Sequence, residues 1–411
     1  MPMPTKLIKK LQKKLEESID FEDSSCSGST NSDSTVEEDF EFEVLHNDYL
    51  VLYKLGSGAF STVWLTYQIS KNDFFALKIQ NHDCYDAGLL EINCLEVVSK
   101  FPTNCLIKLF ESFEYVRDKQ TYLCMVLELA IDSAYYFLKS FRDSSKGYPP
   151  AVMRKLHEHV CEGLSFLHAH DLIHTDIKPE NILVCGNDKR LKMLKDKLEK
   201  IKFKEMYEKQ IELYRQKFDF TNKRDKDKFR KGKRKILEKI VDELAKVLDV
   251  EEVYENLDNL NYTEDELLQC TFKIADLGTV HSLDQMKSEK RFPCIQTRYY
   301  RCPEVLMQLP YDCSVDYWSI ATMYYELVED KLMFDPHTSG KIPTDLVHLY
   351  QIIETIGKPP MEKIQKSPVR KYFDKDGNMK FKLTYQKPDL NQEKWDPKIL
   401  EFFTNALKWH S

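Results

Sequence analysis

Strand-like alternation of apolar and polar positions begins near Tyr49 and leads into Gly56-Ser57-Gly58-Ala59-Phe60-Ser61-Thr62-Val63. Cys124-Met125-Val126-Leu127-Glu128-Leu129-Ala130 reads as a buried strand that runs out into an open segment. Leu156, Val160, Leu164 and Leu167 recur at helical spacing, and a short strand-like run follows at residues 182–184. Phe272-Lys273-Ile274-Ala275 resumes a strand much further on, and Asp316-Tyr317-Trp318-Ser319 opens an apolar helix that reaches Leu327. Both strands and helices are therefore expected.

Two regions break this pattern. Near the start, Lys6, Lys9, Lys10, Lys13 and Lys14 alternate with Leu7, Ile8, Leu11 and Leu15 in the manner of a short basic amphipathic helix. The stretch from Ser24 to Phe42 is rich in Ser, Asp and Glu and is expected to be disordered. The second region is residues 187–270. Residues 189–239 carry 21 Lys and Arg against 9 Asp and Glu, whereas residues 240–268 carry 10 acids and one Lys. So polar a segment is expected to be part helix and part disordered, without a core of its own. Lys231-Gly232-Lys233-Arg234-Lys235 has the form of a nuclear-import or phosphate-binding cluster, although a solvated charged helix would look the same.

The overall charge of −7 hides this asymmetry and says little about partners. Eleven Cys contain no C-x-x-C pair, so neither a zinc site nor a disulfide framework is suggested. No run is apolar enough for a signal peptide or a membrane span, so a soluble, reduced, intracellular chain is expected.

The chemistry is concentrated in His174-Thr175-Asp176-Ile177-Lys178-Pro179-Glu180-Asn181, between the helical run and the short strand. The octet has the form of the protein-kinase catalytic loop, H-x-D-x-K-x-x-N. Asp176 would orient a hydroxyl, Lys178 would neutralise a phosphate and Asn181 would hold Mg²⁺. Other kinase motifs occur in the matching order. Leu55, Gly56, Ser57 and Gly58 belong to a Gly-rich loop that lets backbone approach phosphates. Lys78, in Phe75-Ala76-Leu77-Lys78, would pair the α- and β-phosphates of ATP. Its carboxylate partner is expected to be Glu91 rather than Glu96. Val63, Ala76 and Leu183 would flank the adenine, Leu127 would back it, and the backbone at Glu128 and Ala130 would hydrogen-bond it. Asp276, in Asp276-Leu277-Gly278, is the second expected Mg²⁺ ligand. Thr297 is expected to hydrogen-bond Asp176 and Lys178, which suits a Ser or Thr acceptor. Asp316 is expected to brace the loop backbone.

Taken together, these residues resemble the SR protein kinase family of the CMGC group. Three features carry the likeness: Thr175 where most kinases have Arg, Asp276-Leu277-Gly278 in place of Asp-Phe-Gly, and the position of the insert. The strings at 58–65, Ile295-Gln296-Thr297-Arg298 and Phe334-Asp335-Pro336-His337 add to it. The resemblance covers roughly residues 49–186 and 271–385. It implies an α+β bilobal kinase fold, with a β-rich N-lobe and hinge at 45–130 and a helical C-lobe at 131–186 and 271–411. A disordered tail (1–44) and a charged spacer (187–270) would complete the chain.

The resemblance further implies an ATP- and Mg²⁺-dependent Ser/Thr kinase of Arg-Ser-rich splicing-factor-like proteins, found in cytoplasm and nucleus. The insert would serve import or chaperone partners. No membrane is expected, nucleic acid is disfavoured, and the chain would be a monomer. Without an Arg at position 175, and without the Thr-x-Tyr pair of MAP kinases, activity without activation-loop phosphorylation is expected. Glu354 matches an acidic docking position; the usual aspartate aligns with Val347, with Asp345 close by. The resemblance also implies an Arg partner for Glu304 on a further C-terminal helix that these 411 residues do not include; either that helix lies outside this sequence or Glu304 has another partner. The alternatives are a LAMMER-type kinase and a pseudokinase scaffold; retention of Lys78, Glu91, Asp176, Asn181 and Asp276 argues against the scaffold.

Overall fold

The computed structural model describes residues 39–58, 60–101, 103, 105–139, 148–221, 223–245, 248–255, 261–283 and 293–409. The basic segment at 6–15 and most of the acidic stretch lie outside the described residues.

The N-terminal part is a six-stranded antiparallel sheet built from β1 (Val44–Leu45), β2 (Tyr49–Ser57), β3 (Ser61–Gln68), β4 (Asp73–Gln80), β5 (Leu109–Arg117) and β6 (Gln120–Leu127). Its strand order is β1-β2-β3-β4-β6-β5. One helix, α1 (Tyr85–Val98), crosses between β4 and β5. Tyr49, Leu50, Val51 and Leu52 are all buried, so this sheet is apolar on both faces rather than one. Tyr49, Val51, Trp64, Phe75 and Leu77 fill one face. Leu50, Leu52, Leu65, Tyr67 and Phe74 fill the other.

Beyond the hinge come β7 (Asp132–Ser133), α2 (Ala134–Lys139), α3 (Pro150–His168), β8 (Leu172–Ile173) and β9 (Ile182–Cys185). Val152, Leu156, Val160, Leu164 and Leu167 of α3 form the buried seam of the C-terminal part.

Among the described residues the insert supplies five helices: α4 (Lys189–Ile201), α5 (Phe203–Arg215), α6 (Lys223–Ala245), α7 (Val250–Glu255) and α8 (Glu264–Gln269). The described part of the insert packs on the sheet instead of forming a core by itself. Leu194, Leu198, Phe203, Tyr207, Ile240, Val241, Leu244, Leu248, Val250 and Val253 are buried and share one core with the sheet face that carries Leu50, Leu65 and Tyr67. Most described charged side chains of the insert are exposed or half-buried, Asp188 and Arg190 excepted, while a sparse apolar stripe at helical spacing faces the sheet. That stripe cannot make a core alone, but the second apolar face of β2–β4 completes it. At Gly232, α6 passes so close to the Tyr214 ring of α5 that a Cβ would not fit. The cluster Lys231-Gly232-Lys233-Arg234-Lys235 therefore lies inside a helix.

The chain then returns to β10 (Thr271–Ile274), which pairs antiparallel with β9. Short β11 (His281–Ser282) pairs with β8. The C-terminal part closes with α9 (Pro303–Leu306), α10 (Ser314–Glu329), α11 (Thr344–Ile356), α12 (Met361–Lys366) and α13 (Pro397–Ala406). Glu304 of α9 is buried and meets Lys363 Nζ of α12 at 3.4 Å. No helix among the described residues is long and apolar enough to cross a membrane.

Candidate active site

The β9–β10 pairing brings the octet beside Asp276, since β9 follows the octet directly and β10 leads straight into Ala275 and Asp276. Asp316, fully buried at the first turn of α10, holds the loop from below. Its two carboxylate oxygens accept the backbone N–H groups of His174 and Thr175, each at 2.9 Å, and His168 Nε2 lies 2.8 Å away. His174 Nε2 reaches the Ala275 carbonyl at 2.9 Å, tying the octet to the Asp276 segment. Thr175 and Asp276 both sit at positive φ, 69° and 62°. Such backbone persists only where its surroundings over-determine it, and it clusters at functional sites.

Asp176 is the centre of the constellation. Its Oδ1 accepts the Thr297 hydroxyl at 2.6 Å and the Thr297 N–H at 3.0 Å. Lys178 Nζ donates to Asp176 Oδ2 at 2.7 Å and to Thr297 Oγ1 at 3.2 Å. Asn181 Nδ2 donates to the Asp176 carbonyl at 2.8 Å. Burial pushes the Asp176 carboxyl up, but the hydrogen bonds from Lys178 and Thr297 and the charge of Lys178 outweigh it and hold it below its ordinary value. Asp176 is thus an ionised carboxylate positioned to accept from, or orient, a hydroxyl.

Across the cleft, Lys78 Nζ lies 2.7 Å from both Glu91 oxygens and 3.0 Å from Asp276 Oδ1. Glu91 is buried on α1 while Glu96 is exposed, which decides between the two carboxylates. Burial works against the Lys78 charge, but Glu91 and Asp276 overcome it and raise the ammonium above its ordinary value. Burial likewise acts to raise Asp276, and the Lys78 charge and hydrogen bond bring it below its ordinary value.

The apolar walls stand where the strands place them. Ala76 of β4 pairs with Leu127 of β6, Val63 of β3 pairs with Lys78, and Leu183 of β9 pairs with Lys273. In the hinge, the Glu128 N–H is taken by the Lys108 carbonyl at 2.9 Å and the Glu128 carboxylate by Lys273 Nζ at 2.7 Å. Among the described residues, the Glu128 carbonyl and the Ala130 N–H have no protein partner, so both are open to a base edge.

The oxygens at Asn181 Oδ1 and Asp276 Oδ2 accept no protein hydrogen bond among the described residues. Two hard oxygen donors of this kind suit Mg²⁺, which takes one or two protein ligands and completes its octahedron with phosphate and water. No group of three metal-ligating His, Cys, Asp or Glu side chains occurs among the described residues.

The two docking candidates are placed on α11. Asp345 is engaged by Arg301 Nη1 at 3.3 Å, whose other nitrogens hold the carbonyls of Ile295 and Gln296 at 3.0 Å. Glu354 is half-buried and has no ion-pair partner among the described residues. Several working residues carried no sequence signal. Thr279 accepts the Thr175 hydroxyl at its carbonyl at 2.6 Å and returns its own hydroxyl to the His174 carbonyl at 3.2 Å. Lys273 and Lys363 are equally plain in the sequence, because their partners are far away along the chain.

An antiparallel N-terminal sheet, a helical C-terminal part and this cleft between them define a protein kinase. The family described as protein kinase domain matches residues 49–196 and 211–408, and the chain belongs to it. A mimivirus protein named as a serine/threonine-protein kinase (L205, Acanthamoeba polyphaga mimivirus) is 28% identical over 92% of this chain and 87% of its own length. The serine/threonine-protein kinase SRPK of Physarum polycephalum is 31% identical over 82% of this chain and 74% of its own. The dual specificity protein kinase CLK1 of Homo sapiens is 26% identical over 81% of this chain and 54% of its own. The protein is therefore an ATP-dependent serine/threonine protein kinase of the SRPK and CLK type.

Proposed function

We propose that this kinase transfers the γ-phosphoryl of ATP to serines in Arg-Ser-rich proteins and needs no phosphate on its activation segment. The carrying observation is Thr175. It is buried, stands where most kinases place an Arg, and spends its hydroxyl on the Thr279 carbonyl at 2.6 Å. No cation at this position waits for a phosphate to neutralise it. Asp176 orients the substrate hydroxyl and accepts its proton; Lys178 offsets charge on the phosphate being transferred. Mg²⁺ held by Asn181 and Asp276 would supply the remaining charge neutralisation.

Glu354, a carboxylate of α11 without an ion-pair partner among the described residues, supports an Arg-rich substrate, since guanidinium groups need acidic partners outside the cleft. Asp345 supports it less, because Arg301 already holds it. A radiolabel transfer assay with Mg-ATP tests the reading. It compares an Arg-Ser repeat peptide with an acidic-context and a Pro-directed peptide, with Asp176→Ala as the blank. Preference for a peptide other than the Arg-Ser repeat overturns the substrate assignment and leaves the kinase.

The CLK1 likeness favours a second reading, a LAMMER-type enzyme. Phosphotyrosine on the purified enzyme, absent from Asp176→Ala, would select it. We further place the protein in both cytoplasm and nucleus on the charge of residues 231–235. Their deletion with unchanged distribution would remove that support. Because they are helical, a receptor that reads extended peptide would have to unwind α6.

A further inference from the structure

Arg190 opens the insert and points back into the nucleotide site's frame. Asp188 caps α4 by accepting the Arg190 N–H at 2.9 Å. The same carboxylate grips the guanidinium, with Nε at 3.0 Å from Oδ1 and Nη2 at 2.9 Å from Oδ2. Both residues are buried. Nη2 also donates to the carbonyl of Ile131, the residue next to Ala130 in the hinge. The Ile131 N–H in turn donates to Val184 of β9 at 2.7 Å. Ile131 is thus fastened at both ends of its backbone, one and three residues from the open hinge groups at Ala130 and Glu128.

The guanidinium face lies over Tyr254 of α7 at 4.3 Å. Tyr254 stacks on Tyr53 of β2, with centroids 4.9 Å apart and planes at 29°. Its buried hydroxyl has no hydrogen-bond partner among the described residues, so this ring serves by its face. Tyr53 stands just before Leu55 and the Gly-rich loop on the same strand. Leu55 and the hinge residue Leu129 also pack against the core that the insert shares with the sheet. Tyr53, Tyr254, Arg190 and Ile131 therefore form one continuous line from the phosphate loop's strand to the hinge.

Burying a paired charge is weak as a source of stability, because desolvation consumes most of what the pairing returns. A well-packed methionine would serve packing alone. What a guanidinium adds is direction: a rigid fork with donors left over for a backbone carbonyl. We infer that Arg190 is a positioning residue for nucleotide binding, fixing the hinge at Ile131 and coupling it through Tyr254 to β2. The inference rests on membership of the kinase family and not on the choice of protein substrate.

The test uses the full chain and steady-state kinetics in ATP and in a phosphorylatable peptide. Asp188→Asn with Arg190→Met removes the fork without leaving a buried carboxylate unpaired. It is expected to raise the ATP KM at least fivefold, with kcat and the peptide KM within twofold of wild type. Arg190→Lys keeps a charge beside Asp188 but loses the fork, and is expected to raise the ATP KM by an intermediate amount. Leu198→Ala, in the shared core but outside the line from Tyr53 through Tyr254 and Arg190 to Ile131, controls for stability: it is expected to lower the melting temperature with the ATP KM unchanged. An unchanged ATP KM in the folded double variant overturns the inference, as does an equal rise in Leu198→Ala. If the double variant does not fold, Arg190→Lys decides alone by the same criterion. Loss of all transfer by the wild-type chain would instead count against the kinase reading.

Discussion

Thr297 and Asp176, 121 residues apart in the chain, meet at 2.6 Å, with the hydroxyl donating to the carboxylate. A second bond from the Thr297 N–H, at 3.0 Å, ends on the same oxygen. The activation segment therefore sets the orientation of the group that must face the acceptor. Thr297→Val keeps the shape and the backbone bond but removes the hydroxyl. Hydrogen bonds to charged groups contribute about 1.5–3 kcal/mol, so kcat should fall about ten- to a hundredfold. The ATP KM should stay within about twofold, because Thr297 touches no nucleotide wall. A kcat close to wild type would show that the backbone bond suffices.

The state of Asp176 gives a pH prediction. Its carboxyl lies below the ordinary value, despite burial, because Lys178 and Thr297 donate to the ionised form. For a depressed carboxylate, the stability it contributes is complete above the unfolded value of about 3.9 and is lost as pH falls through the folded value. Activity should accordingly show no acid limb from Asp176 between about pH 5 and 8. Lys178→Met removes the strongest opponent of burial, so the carboxyl should titrate higher. The acid limb of kcat should then move up towards neutrality as the maximum falls. A limb that stays in place would mean that Thr297 alone holds the ionised form.

The shared core predicts that the insert belongs to the folded kinase. Leu198 is buried between α4 and the sheet. Replacing a buried Leu by Ala costs about 2–5 kcal/mol. Urea denaturation of Leu198→Ala should show that loss in the main transition of the whole chain, with no separate early transition. An early transition that leaves the main midpoint untouched would make the insert an independent appendage.

Much of the site was legible because catalysis constrains residue type and local spacing together. The octet at 174–181 places Asp176, Lys178 and Asn181 on one loop, and the spacing from Lys78 to Glu91 is that of a strand and the next helix. The insert was hard to read for a physical reason. Its charged residues, basic in the first part and acidic in the second, dominate the composition, whereas Leu194, Leu198, Ile240 and Leu244 count only once they are placed on helix faces. The complementary clue lay in residues 49–52, four consecutive apolar positions that no one-sided sheet would bury. Pairings such as Lys273 with Glu128, 145 residues apart, had no sequence signature at all.

The Glu304 pairing is one of these. Lys363 reaches it at 3.4 Å, from a side chain that is itself only 17% exposed. Breaking a buried pair from one side leaves an uncompensated charge, at about 3–5 kcal/mol for fully buried cases. Glu304 has further contacts, and Lys363 keeps some water. Lys363→Met should therefore cost less, about 1–3 kcal/mol. Adding Glu304→Gln should recover part of that loss in a double-mutant cycle by urea denaturation. Simple additivity would show that the two residues are neighbours without coupling.

Thr175 yields the sharpest regulatory prediction. In a kinase with Arg at this position, an unphosphorylated activation segment leaves a buried cation uncompensated, and phosphate supplies the missing charge. Here the side chain is neutral and its hydroxyl already has a partner in Thr279. Exhaustive phosphatase treatment, verified by mass spectrometry of the activation segment, should leave kcat within about twofold. Thr175→Arg should do the reverse. It places a cation in a buried position at positive φ, with no phosphate to meet it. At about 1.4 kcal/mol per tenfold, even a modest displacement of the adjoining Asp176 would lower kcat tenfold or more. If phosphatase abolishes wild-type activity, the neutral residue at 175 does not free this enzyme from phosphorylation, and the phosphate must act through another cation, with Arg298 and Arg301 the first to substitute.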